Sequence, residues 1–127
     1  MRQNILSDGE WKLMNVIWEK APVTLGELVA ALNEETGWSK SVIYMMLKRM
    51  VEKNVIRMDS QGKYQRYSPI LERSEAEIQE TENFLDKVYQ GSVRMMLSAM
   101  AGQKKLSSKE IEELYEFLKK EKERQEE

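Results

Sequence analysis

Residues 39–50 read SKSVIYMMLKRM, and their apolar side chains recur at the spacing of an α-helix. On a helical wheel that starts at Val42, we predict an inward face made of Val42, Ile43, Met46, Leu47 and Met50. The opposite face mixes chemical groups and carries Ser41, Tyr44, Met45 and Lys48, with Arg49 at its flank. A hydroxyl, a phenol, a thioether and an ammonium group suit contacts with base edges and phosphates. The alternative is a solvated helix face with an incidental methionine.

Capping motifs around this segment predict two preceding helices and a following hairpin. Ser7–Glu10 and Thr24–Glu27 have the capping-box pattern, and Ser39 is placed to cap the quoted helix. The strand-like runs VIRMD and KYQRYS flank Ser60-Gln61-Gly62 and end at Pro69, which predicts a β-hairpin. This order is typical of the winged helix-turn-helix, whose later helix enters the DNA major groove. The four outward residues of the quoted helix are therefore the predicted base contacts.

The chain beyond Pro69 predicts three further helices. Ser74–Glu77 and Ser107–Glu110 are predicted capping boxes, Gly91 and Ala101-Gly102 are predicted breaks, and KKEKERQEE is expected to be a solvated tail. Short helices of this kind cannot bury their apolar faces alone. We therefore predict a homodimer that shares a core of Ile78, Leu85, Val88, Met96, Leu97, Ile111, Leu114 and Leu118. The alternative is an intramolecular cap over the N-terminal domain.

The predicted fold class is thus mainly α with a small β-hairpin. Residues 1–70 are expected to form a winged helix-turn-helix DNA-binding domain. Residues 71–127 are expected to form a three-helix dimerisation domain with a charged C-terminal tail.

Charge is unevenly distributed along the chain. The net charge is −2, yet residues 36–66 contain seven Lys or Arg against two Asp or Glu. The overall acidity argues against histone-like binding, whereas a local basic region on an acidic chain is compatible with focused nucleic-acid binding. The predicted phosphate contacts are Ser39, Lys40, Arg49, Arg57, Lys63 and Arg66. The hairpin cations among them would also serve as a charged edge that resists strand-to-strand aggregation.

Several classes of site are disfavoured by composition. Cysteine and histidine are absent, so disulfides, thiolate chemistry and imidazole ligands are excluded, and no metal or cofactor is expected. No nucleophile–base pair or phosphate-binding loop occurs, so we predict no catalytic residues and no enzyme. No apolar run approaches the length of a membrane-spanning helix, and MRQNILSDGE lacks the features of a signal peptide. The expectation is a cytoplasmic protein without membrane insertion.

Four segments resemble the penicillinase-repressor (BlaI/MecI/CopY) family: LSDGEWKLMNVIWE, SKSVIYMMLKRMVEKNVI, GKYQRYSPI and NFLDKVYQGSVRMML. The resemblance extends over residues 5–120 and includes the order and spacing of the segments. It implies a homodimeric winged-helix transcriptional repressor of double-stranded operator DNA. In β-lactam-resistance systems such repressors are inactivated when a membrane sensor-transducer triggers cleavage in the dimerisation domain. The resemblance therefore also implies a sensor or a protease as an indirect partner.

The chain departs from the pattern of this family at several positions. Family members commonly carry two threonines in the recognition helix, whereas Val42 and Met45 hold the matching positions here. Because the wheel puts Val42 at the edge of the core face, we expect Met45 alone to alter the reading face. The Asn-Phe bond cleaved in some relatives aligns with Ala99-Met100, the candidate proteolytic site. The copper-responsive branch has a C-terminal cysteine cluster, so copper sensing is not expected here.

The leading hypothesis is a sequence-specific repressor that binds a palindromic operator and occupies promoter DNA. The alternative is a winged-helix protein-interaction module whose basic region meets an acidic partner instead of DNA. A titration with duplex at two salt concentrations separates the two, because phosphate binding weakens steeply with salt.

Overall fold

The structure, a computed structural model, describes residues 6–127. Its secondary-structure elements in this range are α1 (Asp8–Lys20), β1 (Val23–Thr24), α2 (Leu25–Thr36), α3 (Lys40–Glu52), β2 (Ile56–Asp59), β3 (Arg66–Pro69), α4 (Arg73–Tyr89), α5 (Val93–Gly102) and α6 (Ser108–Gln125). The expected fold class, mainly helical with a small antiparallel sheet, is confirmed. The chain divides into two compact units, with the boundary between Thr81 and Glu82.

Local hydrogen bonds start the helices of the first unit where the sequence predicts. The Glu10 N–H donates to Ser7 Oγ at 3.1 Å, and the Ser7 N–H donates to the Glu10 carboxylate at 2.9 Å. The same reciprocal pair joins Thr24 and Glu27 at the start of α2. Ser39 Oγ accepts the Val42 N–H at 3.2 Å and caps α3. These bonds satisfy amide groups that have no partner inside the helix.

Left-handed residues end α2 and follow α3. Gly37 has φ 70° at the C-terminus of α2, and Asn54 has φ 64° two residues after the end of α3. Glycine and asparagine tolerate this conformation better than other residues. The chain therefore turns sharply on both sides of α3, which delimits the helix to 13 residues.

The sheet has three strands in the order β1-β3-β2, and both pairs are antiparallel. The predicted hairpin of β2 and β3 is confirmed. Strand β1 is an addition that the sequence did not predict, because two residues are too few to show strand alternation. Its Val23 lies opposite Tyr67, and both side chains are buried. This pairing attaches the connection between α1 and α2 to the central strand.

The hydrophobic core of the first unit is formed by α1, α2, α3 and the sheet. Its fully buried members are Leu13, Met14, Ile17, Val23, Leu28, Ile43, Leu47, Met50, Val55 and Ile56. Trp11 and Trp18 of α1 are partly buried against this core and meet edge to face at 5.5 Å. Leu13 occupies a central place that the sequence did not predict.

The start of α4 belongs to the first unit. Leu71 and Ala76 are buried in its core, and Trp18 Nε1–H donates to the Leu71 carbonyl at 2.8 Å. The Arg73 guanidinium lies 4.8 Å from the centre of the Trp18 ring. The chain therefore divides after Thr81, eleven residues later than the expected boundary between residues 70 and 71, and the functional roles of the two parts stay a prediction.

The predicted capping box at Ser74–Glu77 is wrong. Helix α4 already begins at Arg73, and its first-turn contact joins the Glu72 N–H to the Glu75 carboxylate at 3.4 Å. The contact of Arg73 with Trp18 accounts for the earlier start, because it anchors the first residue of the helix to α1.

The second unit contains the end of α4, α5 and α6. Gly91, at φ 83°, separates α4 from α5, and the capping box of Ser107 and Glu110 starts α6, as expected. The C-terminal tail is solvated as expected, because its residues are exposed apart from the partly buried Glu121. It also continues α6 as far as Gln125, and an ion pair of 2.6 Å joins Arg124 to Glu121. None of the residues from 82 to 127 is buried. No helix formed by residues 6–127 has the length and apolar character needed to cross a bilayer.

Candidate nucleic-acid interface

The outward strip of α3 consists of Ser41, Tyr44, Met45 and Lys48, all of which are exposed. The buried stripe on the other side of the helix is formed by Ile43, Leu47 and Met50, which are fully buried. Because α3 is held by this stripe, the four side chains share one accessible surface. The structure brings them together as the sequence predicts, and their contact with bases stays a prediction.

Val42 also lies on the exposed side of α3, which corrects its predicted inward position. Its side chain is 44% exposed. The buried stripe is centred near Ile43 and Leu47. Val42 lies about 100° from that centre on the helical wheel and is therefore at the margin of the core face. Both positions that match the family's threonines, Val42 and Met45, are therefore accessible.

A cleft lies between the tip of the hairpin, the start of α2 and the start of α3. It has a volume of about 610 Å³ and is lined in part by Thr24, Glu27, Lys40, Lys63 and Tyr64. Two predicted phosphate contacts, Lys40 and Lys63, thus line one cleft. Tyr64 is 56% exposed, and Lys63 Nζ lies 5.4 Å from the centre of its ring.

Tyr64 and Gln65 also line this cleft and are not among the contacts predicted from the sequence. The available signal was the alternation of basic and aromatic residues in KYQRY, which is typical of surfaces that bind nucleic acids. The contacts predicted for the hairpin are its charged residues alone.

The two arginines of the hairpin lie on the outer face of the sheet. Arg66 is paired in register with Thr24 and Asp59, and Arg57 with Ser68. Alternate residues of β3 share one face, so both arginines lie opposite the face of the buried Tyr67. Arg57 is not among the residues that line the cleft.

Arg66 lies close enough to the start of α2 to influence its capping carboxylate. Hydrogen bonds from the Thr24 N–H and hydroxyl, followed by the charge of Arg66, lower the pKa of Glu27. The Glu27 carboxylate thus keeps its charge to a lower pH than an ordinary glutamate, and it caps α2 beside the cleft.

Arg49 lines a separate hollow of about 430 Å³ at the other end of α3, beside Ser7, Glu10 and Lys53. Lys53 Nζ lies 2.8 Å from the Glu10 carboxylate and links the end of α3 to the start of α1. Lys40 and Arg49 are nine residues apart, about 13 Å along the helix axis. Cations therefore flank the outward strip at both ends.

The Glu10 carboxyl is the most embedded ionisable group in this hollow. Burial raises the pKa of Glu10, but the hydrogen bond and charge of Lys53, together with the Ser7 N–H, outweigh that effect. The pKa of Glu10 therefore lies below its ordinary value. An ionised Glu10 caps α1 and binds the end of α3 at the same time.

The candidate dimerisation residues remain accessible. Ile78, Val88, Ile111 and Leu118 are exposed, and Leu85, Met96, Leu97 and Leu114 are partly buried. Within the second unit, an apolar hollow of about 390 Å³ is lined in part by Leu97, Ile111, Leu114 and Leu118. The candidate proteolytic bond, Ala99-Met100, lies inside α5. Across residues 6–127, no cluster of acidic side chains is arranged to hold a metal ion.

Known sequences place these features in a family. The sequence profile of the Penicillinase repressor family matches residues 6–120. The penicillinase repressor of Bacillus licheniformis is 30% identical over 122 residues, which cover 96% of this chain and 95% of that protein. The methicillin resistance regulatory protein MecI of Staphylococcus aureus (strain N315) is 29% identical over 115 residues, covering 91% and 94% of the two chains.

Solved structures match more than half of this chain. The Bacillus licheniformis BlaI monomeric form in complex with the blaP half-operator matches with a TM-score of 0.52 and 27% identity. That match covers 57% of this chain and 89% of the other. The DNA-binding domain of the repressor BlaI matches with a TM-score of 0.51 at the same identity, covering 59% and 90%. The fold is thus that of a winged-helix DNA-binding domain.

The chain belongs to the penicillinase repressor family. The resemblance seen in the four sequence segments is confirmed, and the family is one of repressors rather than of enzymes.

We expect the free energy of unfolding to depend on the ionisation of Glu10. Because folding lowers its pKa below 4.5, its contribution is complete above that value and is lost as the pH falls through the folded-state pKa. Glu10→Gln should lower the free energy of unfolding by about 1 kcal/mol near neutral pH and flatten the decline below about pH 5. Urea denaturation over a pH series, at fixed protein concentration, measures both the free energy of unfolding and its decline at low pH.

Lys53→Met is the matched variant, because it leaves the reciprocal hydrogen bonds of Ser7 and Glu10 in place. It should remove only part of the pH dependence. An unchanged pH profile in Glu10→Gln would contradict the assignment of this carboxylate.

Proposed function

We propose that this chain is a sequence-specific, DNA-binding transcriptional repressor that acts as a homodimer on a palindromic operator. The observation that carries the proposal is the outward strip of α3, which is accessible and flanked by cations. It occurs in a fold whose solved relative is described in complex with half-operator DNA. Repression would be steric, through occupation of promoter DNA.

In this proposal α3 enters the major groove, and the outward strip meets base edges. Ser41, Tyr44 and Lys48 supply hydrogen-bonding groups, and Met45 supplies an apolar contact. The predicted phosphate contacts are Ser39, Lys40, Arg49, Arg57, Lys63 and Arg66. The position of Lys40 and Lys63 in one cleft supports a backbone contact at the hairpin side. Arg49 would make the contact at the opposite end of α3.

The burial pattern of the second unit supports the homodimer. No residue from 82 to 127 is buried, although several large apolar side chains occur there. The exposed ones are Phe84, Val88, Val93, Met95, Met100, Ile111, Tyr115, Phe117 and Leu118. An apolar surface of this extent is stabilised when a second copy covers it. We therefore assign DNA binding to residues 1–70 and dimerisation to residues 71–127, with the first turns of α4 packed on the DNA-binding part.

The same arrangement suggests how induction would act. Cleavage of Ala99-Met100 would separate Leu97 on α5 from Leu114 on α6, which line the same apolar hollow. A dimer interface built on that hollow would be lost, and with it the linked binding of two half-sites. A membrane sensor-transducer or a protease would act indirectly, by causing this cleavage. Because its target is promoter DNA, we place the repressor in the cytoplasm.

The direct test is selection of bound duplexes from a random pool, followed by titration of the selected duplex at several salt concentrations. We expect one palindromic consensus, and an affinity that falls as salt rises. Lys40→Gln and Lys63→Gln should each lower the salt slope by about one unit, because each removes one phosphate contact. Lys109→Gln, an exposed lysine on α6, is the control and should leave the slope unchanged. A pool without enrichment would refute sequence-specific binding.

Dimerisation is tested with Leu97→Asp and Leu114→Asp. Each change would bury an unpaired charge in the shared interface. We expect a monomer in sedimentation velocity and about 10²–10⁴-fold weaker binding to the palindrome, because the second half-site contact is no longer intramolecular. Binding to a single half-site should be retained, which shows that the first unit is folded.

Ser108→Asp is the charge-matched control, since it adds a carboxylate at an exposed helix start. It should remain dimeric. A monomeric Leu97→Asp variant that binds the palindrome as tightly as the parent would remove dimerisation from the mechanism.

A further inference from the structure

Two apolar side chains lie next to each other on the exposed side of α3, outside the hydrophobic core. Val42 is 44% exposed and Met45 is 53% exposed. The adjacent Met46 is different, because it packs against the core and its Cε would lie 3.0 Å from a Cβ at Gly9. Of the two adjacent methionines, Met46 therefore contributes to packing, whereas Met45 stays on the surface together with Val42.

The spacing of Val42 and Met45 fits the repeat of a DNA duplex. Residues three apart are neighbours on a helix surface and are separated by about 4.5 Å along its axis. Successive base pairs are about 3.4 Å apart. A helix in the major groove would therefore present both side chains to one base pair or to two adjacent ones. Lys40 and Arg49, at the start of α3 and near its end, complement the charge of the surrounding phosphates.

The chemistry of the two side chains determines which group of the DNA they can contact. Valine has no hydrogen-bond donor or acceptor, and a thioether is a weak acceptor. Neither residue is therefore suited to reading the hydrogen-bonding pattern of a base edge. The apolar group that the major groove offers is the C5-methyl of thymine. A threonine at either position would carry a hydroxyl and could therefore also form hydrogen bonds with a base edge.

We propose that Val42 and Met45 are specificity-determining residues that together bind thymine C5-methyl groups on one or two adjacent base pairs of each half-site. The inference rests on the proposed DNA-binding function and adds the chemical group that this surface recognises. Ser41, Tyr44 and Lys48 surround the pair and remain the hydrogen-bonding part of the strip.

The test uses the full-length protein and the duplex selected from the random pool. Thymines of the half-site are replaced one at a time by deoxyuridine, which pairs identically and lacks the methyl group. We expect about four-fold weaker binding for each methyl removed at one or two positions, the factor expected for burial of one methylene-sized group. Replacement at the other positions should leave the affinity unchanged.

Protein variants connect the effect to the two side chains. Val42→Ala and Met45→Ala should weaken binding to the thymine duplex and should lose the discrimination between thymine and deoxyuridine. Met46→Leu, on the same helix and packed on the core, should retain the full discrimination.

Each other result overturns the inference. Equal affinity for thymine and deoxyuridine duplexes would refute methyl recognition while leaving DNA binding intact. Discrimination that survives both alanine variants would assign the effect to DNA shape. Absence of binding to any duplex would refute the proposed function itself, and this inference with it.

Discussion

The packing of Ile43, Leu47 and Met50 beneath α3 is the constraint on which the functional surface depends. These three side chains are fully buried, and α3 contacts α2 and β2 through the core that they help to form. Burial of each such side chain contributes about 1.5–3 kcal/mol, so rotation of the helix about its axis would be strongly opposed. The exposed residues of α3 are thereby held on one fixed side of the domain. A reading surface on one helix requires that rigidity, because hydrogen bonds to base edges tolerate little displacement.

The ends of α3 are secured by independent interactions. Ser39 caps its start, and Lys53 pairs with Glu10 just after its end. Glu10 in turn completes the cap of α1, so a single carboxylate couples two helices. On the hairpin side, β1 attaches the connection between α1 and α2 to the central strand through Val23 and Tyr67. The start of α2, the start of α3 and the hairpin tip consequently line one cleft.

The two units differ in how many of their own apolar residues they bury. The first encloses a core that includes ten fully buried side chains, whereas no residue from 82 to 127 is buried. A unit without buried residues gains little from folding alone, since its helices are short and its apolar faces stay hydrated. Pairing of two copies would stabilise the second unit and connect two reading surfaces. Stability and operator recognition would then depend on the same association.

Much of this fold follows from local sequence, and the exceptions have physical causes. Caps such as Ser7–Glu10 and Thr24–Glu27 were predictable, because their hydrogen bonds involve residues three apart. The start of α4 was not, since the contact of Arg73 with Trp18 joins residues distant in sequence. Val42 was misplaced because periodicity gives the width of an apolar face but not its centre, which depends on what packs against it.

The exposed side of α3 is the surface that we propose to meet DNA. Amide chemical-shift mapping of the full-length protein, titrated with its selected duplex, tests it most directly. We expect the largest shifts in residues 39–49 and around Lys63 and Tyr64, with small shifts in α6. Large shifts confined to α5 and α6, with α3 unperturbed at saturation, would contradict it.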